Sequence, residues 1–381
     1  MKTQELGKKA ENLTTPAILI DEKKLINNIE RVAKKCKEKN ISLRPHFKAH
    51  KLLPIAKLQN QYGAQGFTVA KLSEAEVLVN AGWKDILVAY PIWGIEKWNY
   101  YFELASQAKM STIIDSHDAY SAWSAIGEQK RKPVEVYVKV DTGLQRVGYP
   151  PGEELYKLIR KVAGSENLIF RGLLTHAGHV YGAKNEVERK TIALAEGEIL
   201  LKVARALETE EKTEEIRINE ISVGSTPTVG ENLETRGVTE VRPGNYVFND
   251  ATQVRLAVAR EEDCALRVLT TVVANPVENR RIIDGGSKVF ALDKGAHGQE
   301  GTDSYGIICN AKGWKLSRLS EEHGVLEKVS TQATELPVGT KLMIIPNHAC
   351  PVINLTNQVY LINSKSEVKA IWQVDARGCS Q

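Results

Sequence analysis

From residue 41 to about 247 the chain alternates between short β-prone runs and longer stretches whose apolar residues recur every three or four positions. The first kind reads as buried strand and the second as amphipathic helix. ISLRPH is followed by LLPIAKLQNQYG, GFTVA by SEAEVLVNAG, and DILVAYP by IEKWNYYFELASQA. STIID precedes HDAYSAWSAIGEQ, VEVYVKVD precedes GEELYKLIRKVAG, and LIFRGLLTHAG precedes the charged run NEVERKTIALAEGEILLKVARALETEEK. EISVGSTPT and EVRPGNYVF complete the series. In SEAEVLVNAG, Ser73 is the expected N-cap and Gly82 the expected stop. Eight such units predict an α/β fold whose N-terminal part is a closed parallel (β/α)8 barrel of the TIM type. An open doubly wound sheet would advertise a Gly-rich first turn, and neither GxGxxG before a helix nor a GKS/T phosphate loop is present.

After about residue 247 the texture changes to short strand-like runs split by turn residues, as in ALRVLTTVVANPVENRRIIDGG and VKAIWQVDARG. This predicts a barrel over residues 15–247 and a mostly β domain over 248–381. Residues 1–14 join the second domain, because chain termini often lie close together.

Composition narrows the class without naming a function. The 381 residues are 42% hydrophobic and 26% charged, ordinary for a two-domain globular enzyme. Net charge is only +4 and no dense basic block occurs, so nothing points to nucleic acid. The start, MKTQELGKKAENLTT, lacks an apolar signal core, and no apolar run reaches the roughly 20 residues of a membrane helix. Five scattered cysteines argue against a disulfide framework and for a reducing compartment, which makes the cytoplasm the expected location.

The chemistry of a barrel gathers at the C-terminal ends of its strands. Here the first strand ends in Arg44, His46, Lys48 and His50, the fifth in Asp141, Thr142 and Arg146, and the next in Thr175, His176, His179 and Tyr181. Gly224, Ser225 and Thr226 follow the seventh strand, and Arg242, Gly244 and Tyr246 the last, with Asp250 beyond. Crowded positive charge in RPHFKAHK would lower a lysine's pKa and favour a Schiff base, although a solvated basic loop has the same composition. Lys51 reads as a surface residue, while Lys139 and Lys288 are rival lysines that spacing does not exclude. SVGSTPTVG offers small residues and hydroxyls to an anion, or is a plain Gly/Ser turn. His348 and Cys350 stand two apart in PNHACPV, a pairing that suits zinc and that also arises by chance.

These segments, with TPAILIDEKKLINNI, DTGLQRVG and IIDGGSKVF, resemble the D-threonine aldolase and D-serine dehydratase group of alanine-racemase-fold pyridoxal-phosphate (PLP) enzymes along nearly the whole chain. The resemblance implies that Lys48 carries PLP through a Schiff base and Arg146 contacts the ring's phenolic oxygen. It implies that His176 lies against the ring, that Gly224, Ser225, Thr226 and Tyr246 bind the phosphate, and that Tyr181 stands on the substrate side. His348 and Cys350 would hold a divalent metal, zinc before manganese or magnesium, and the chain would be a homodimer.

On this resemblance the reaction is a lyase step on a small β-hydroxy D-amino acid. In dehydration Lys48 removes the α-proton and the metal-held hydroxyl departs; in aldol cleavage a base such as His179 takes the hydroxyl proton. Cys350 favours D-serine dehydratase, because the aldolases of this group more often carry a carboxylate there. D-threonine aldolase is the alternative. Racemisation would need a second base such as Tyr305, and a non-enzymatic PLP-binding protein would not need the second domain.

Overall fold

The computed structural model describes residues 2–208, 216–295 and 301–381, which fold as two compact units. The expected helical residues 209–212 lie outside the described residues.

One unit comprises Val32–Lys48, Gln59–Gly244 and Cys379–Gln381. Its eight strands are all parallel, in the order Ser42–Leu43, Glu240–Val241, Glu220–Val223, Leu168–Leu174, Val134–Lys139, Lys109–Ile114, Asp85–Val88 and Phe67–Val69. A parallel bridge between His46 and Thr68 joins the two ends, so the sheet closes as a TIM-like barrel. Its strands are buried on both faces: Ile86, Leu87 and Val88 are inaccessible, as are Val136 and Val138. Continuous apolar runs are what such a layer requires. The outer helices bury one stripe each; in Glu153–Ala163 it is Leu155, Leu158, Ile159 and Val162.

The barrel departs from the eight-unit reading in three places. Helix Leu72–Asn80 starts one residue before Ser73, whose hydroxyl instead donates to the Gln381 carbonyl at 2.9 Å. The Glu74 carboxylate serves the helix start, accepting the Ala70 N–H at 2.8 Å. Gly82 ends the helix as expected, at φ +93°. Strand Glu220–Val223 is followed by only the four-residue helix Val229–Asn232. Helix Glu22–Lys39, outside the regular alternation, reaches this unit only from Val32 on, and buries Leu25, Ile29, Val32, Ala33 and Cys36 at helical spacing.

The other unit comprises Met1–Arg31, Ala49–Leu58 and Asn245–Gly378. It holds a nine-stranded, mostly antiparallel sheet. Ala17–Asp21 belongs here, although the sequence reading put it with the barrel: it pairs antiparallel with Leu266–Val277 and parallel with Gln358–Ile362. Its AILI run is buried throughout, and a run apolar on both faces suits the middle of any sheet. Among the described residues no helix is long and apolar enough to cross a membrane, and no disulfide forms.

Candidate active site

In the barrel unit the strand Ser42–Leu43 leads into a 3-10 turn at Phe47–Ala49, which leaves Lys48 half-buried beyond the strand's C-terminal end. The other cations of this segment are committed elsewhere. Arg44 donates through Nε to Glu240 at 2.6 Å and through Nη1 to Asp85 at 2.7 Å. Lys51 is not on the surface: it is 7% exposed, adopts φ +53°, and donates from Nζ to Asn354 Oδ1 at 2.8 Å. His50 is buried and accepts the Leu52 N–H on Nδ1. Chain topology places Lys48 beyond the strand's C-terminal end; a concentration of positive charge does not single it out.

The loop after Val134–Lys139 is a closed turn. Asp141 accepts the N–H groups of Gly143 at 3.0 Å and Gln145 at 3.1 Å, while its own N–H bonds the Tyr149 carbonyl at 2.9 Å. Gly143, at φ +124°, brings its backbone so near His179 that an added Cβ would stand 3.1 Å from the ring. A side chain there would displace the imidazole. Arg146 leaves this loop with its pKa lowered by partial burial, against the opposing pull of Tyr90 and Asp141.

The next two loops are joined by a residue no motif announced. Glu196, on helix Glu186–Glu208, is 1% exposed. Its Oε1 accepts the Ala177 N–H at 2.9 Å and the Gly224 N–H at 3.1 Å, and its Oε2 accepts from Asn232 at 2.7 Å. One carboxylate thus ties the THAGH loop to the VGSTP loop. His176 Nδ1 lies 3.5 Å from the Gly224 carbonyl across that tie. Ser225 is engaged with Thr228, its N–H donating to Thr228 Oγ1 at 3.0 Å. The buried hydroxyl of Thr226 and the buried Nδ1 of His179 have no hydrogen-bond partner. A buried hydroxyl left open beside a positive-φ glycine (Gly224, φ +109°) fits an anionic ligand such as a phosphate. Tyr181 is buried on the turn that follows.

Removing the Glu196 tie has a predictable cost. Glu196→Ala strands two buried backbone donors, each worth about 1–3 kcal/mol. Denaturant unfolding should show roughly 3 kcal/mol of lost stability. Glu196→Gln should lose less, since the amide oxygen can still accept both N–H groups. Equal stability of the alanine variant and the wild type would show that the tie is dispensable.

Deeper in the barrel, Arg242 donates to the Ser222 hydroxyl and the Thr175 carbonyl, and Ser222 donates to Glu240 at 2.5 Å. Lys139 shares this interior. Burial and then the neighbouring Arg242 push its pKa down to about 7. It is therefore a chemically credible rival to Lys48, whereas Lys288 is not: it is an exposed ion-pair partner of Glu322, which raises its pKa.

The second unit holds the remaining candidates. His348 and Cys350 flank Ala349 at the start of helix Ala349–Leu355. Asp293 Oδ2 lies 2.8 Å from His348 Nδ1. Burial lowers the imidazole's pKa, but Cys350, Asp293 and Asp250 outweigh it and raise the value to about 10. Asp250 accepts the Ala349 N–H at 3.0 Å. An imidazole and a thiol two residues apart, the imidazole backed by a carboxylate, are donor types that fit a divalent cation. Among the described residues no group of three or more His, Cys, Asp or Glu side chains is placed to hold a metal ion. Tyr246 is buried in the turn Asn245–Val247, and the Lys294 ammonium lies over the Tyr305 ring at 5.4 Å.

Comparison with known proteins agrees with this architecture. The domain described as "Alanine racemase, N-terminal domain" matches residues 20–252, and the one described as "Putative serine dehydratase domain" matches residues 265–362. The chain is 33% identical to D-threo-3-hydroxyaspartate dehydratase of Delftia sp. (strain HT23), over 89% of this chain and 91% of that one. It is 26% identical to D-serine dehydratase of Dictyostelium discoideum, over 94% and 95%. Among solved structures, D-threonine aldolase from Filomicrobium marinum superposes with a TM-score of 0.87 at 28% identity, covering 99% and 98%. Two variants of D-threo-3-hydroxyaspartate dehydratase also match at 30% identity, covering 96% of this chain: a histidine-to-alanine variant (TM-score 0.87, 96% of that chain) and a cysteine-to-alanine variant in the metal-free form (0.86, 98%). Alanine racemases match at 15–18% identity, which shows the shared fold. The chain belongs to the alanine-racemase-fold family of PLP-dependent lyases, in which an alanine racemase N-terminal domain is followed by a serine dehydratase domain.

Proposed function

We propose that the chain is a metal-assisted dehydratase of β-hydroxy D-amino acids, with D-serine as the reference substrate. The observation that carries this reading is the placing of His348 and Cys350 two residues apart at the start of one helix, with Asp293 Oδ2 2.8 Å from His348 Nδ1. The two substituted positions of the dehydratase variants are likewise two apart, and one of those variants is described as metal-free, which supports a metal role for this pair.

PLP, when bound, supplies an electron sink for the substrate's α-carbon. Lys48 would hold it at Nζ and then carry the α-proton. Thr226, Ser225 and Gly224 would receive the phosphate with Tyr246, Arg146 would face the phenolic oxygen, and His176 would lie against the ring. Tyr181 would border the substrate. His348 and Cys350 would hold a divalent cation whose Lewis acidity eases departure of a hydroxyl, and the thiolate favours zinc over manganese or magnesium. Aldol cleavage on the same scaffold would instead need a base for the hydroxyl proton. His179, with its open Nδ1, is the candidate for it. We further read the enzyme as a cytoplasmic homodimer, for which light scattering is the check.

The deciding measurement is a product assay. D-Serine, D-threonine, D-threo-3-hydroxyaspartate and their L-isomers are incubated with the enzyme, and keto acid plus ammonia is assayed against glycine plus aldehyde. Keto acid from the D-isomers is expected. Glycine with aldehyde as the main product would replace this reading with the aldolase one.

A further inference from the structure

We propose that Asp293 is the positioning residue of the metal site: its carboxylate orients the His348 ring and sets the ring's tautomer. This rests on the reading of His348 and Cys350 as metal ligands. An ionised carboxylate only accepts, so at 2.8 Å Nδ1 of His348 is the donor, and Nε2, its proton displaced by the ion, is the ring nitrogen left to bind a metal. A carboxylate behind a ligating imidazole also raises its basicity toward the ion.

Hydrogen bonds of the Asn347 side chain hold the two segments together. The side-chain Nδ2 of Asn347, one residue before His348, donates to the Asp293 carbonyl at 3.1 Å, to Thr302 Oγ1 at 3.0 Å and to the Ser304 carbonyl at 2.6 Å. The Asn347 carbonyl in turn accepts the Thr252 hydroxyl at 2.6 Å. On the other side of His348, Asp250 fixes Ala349. The segment that carries Asp293 is therefore pinned to the segment that carries His348. Both side chains keep some exposure, 35% for Asp293 and 20% for His348, so an ion can reach the ring.

The test uses full-length enzyme stripped of metal and titrated with cobalt(II) against a chromophoric chelator. The thiolate-to-cobalt absorbance reports Cys350, and the visible PLP absorbance and thermal unfolding are followed in parallel. Wild type should bind, and His348→Ala should not bind tightly. Asp293→Ala should bind roughly 10–100-fold more weakly. At saturating cobalt it should show the wild-type spectrum, with PLP retained. Asp293→Asn, which can still accept from Nδ1, should fall between the two. Wild-type affinity in both variants overturns the proposal. A changed cobalt spectrum in Asp293→Ala overturns it too, because Asp293 would then be a ligand itself. If Asp293→Ala melts early, Asp293→Asn decides alone, and wild-type affinity in it overturns the proposal. A wild-type chain that takes up no cobalt overturns the metal reading itself, a result distinct from either of those.

Discussion

Lys48→Ala is expected to remove the visible absorbance of lysine-bound PLP and to lower turnover by roughly 10³-fold or more, the scale of losing a proton carrier in the reacting complex. The prediction has a built-in rival. Lys139 stands at the end of the fifth barrel strand and, with its pKa pushed down to about 7, is partly neutral at physiological pH. A neutral amine is what Schiff-base formation needs. Lys139→Met should nevertheless keep the absorbance, because Lys139 is wholly enclosed among Arg242, Glu196 and Arg146, whereas Lys48 is half-open on a strand-end turn. Absorbance that survives in Lys48→Ala and vanishes in Lys139→Met would transfer the attachment to Lys139.

Cys350→Ala, or prolonged chelation of the wild type, should remove most turnover while the PLP absorbance persists. The magnitude follows from the leaving group. Zinc lowers the pKa of a bound water from about 15.7 to about 7. Each unit is about 1.4 kcal/mol, so expressing even a third of that difference gives about 4 kcal/mol. That is roughly 10³-fold in rate. Cys350→Asp separates metal chemistry from simple damage. A carboxylate is a harder ligand, so added manganese should restore part of the lost activity where zinc does not. Full turnover in Cys350→Ala, or in chelated enzyme shown to be metal-free, would remove the metal from the mechanism.

Both predictions draw on residues legible from the sequence, and the same is true of much of the scaffold. The runs VEVYVKV and DILV are dominated by Val, Ile, Leu and Tyr and are buried at every position but Glu135 and Asp85, as strands covered on both faces must be, and the stripe through EELYKLIRKVA had to cover them. Gly82 had to stop its helix, because φ +93° strains any other residue. The alternation marks the positions past the strand ends, where Lys48, Arg146, His176 and Thr226 lie, but the family resemblance, not the alternation, singles these four out.

Tertiary structure decided what depends on partners distant in the chain. The AILI run was plainly a strand, yet nothing local says which sheet will bury it, and it pairs with Leu266–Val277. Ser73 had the form of an N-cap but bonds Gln381, 308 residues away. Lys51 looked like a surface cation until Asn354 came to meet it. Glu196 and Asp293 looked like two more acidic residues in a chain holding 47. Side-chain type and spacing determined where strands, helices and strand-end chemistry fall, because those are set by neighbours within a few residues. Which carboxylate holds two loops together, and which one stands behind His348, is set by hydrogen bonds closed over 19 to 55 positions, and only the folded chain brings those partners within 3 Å.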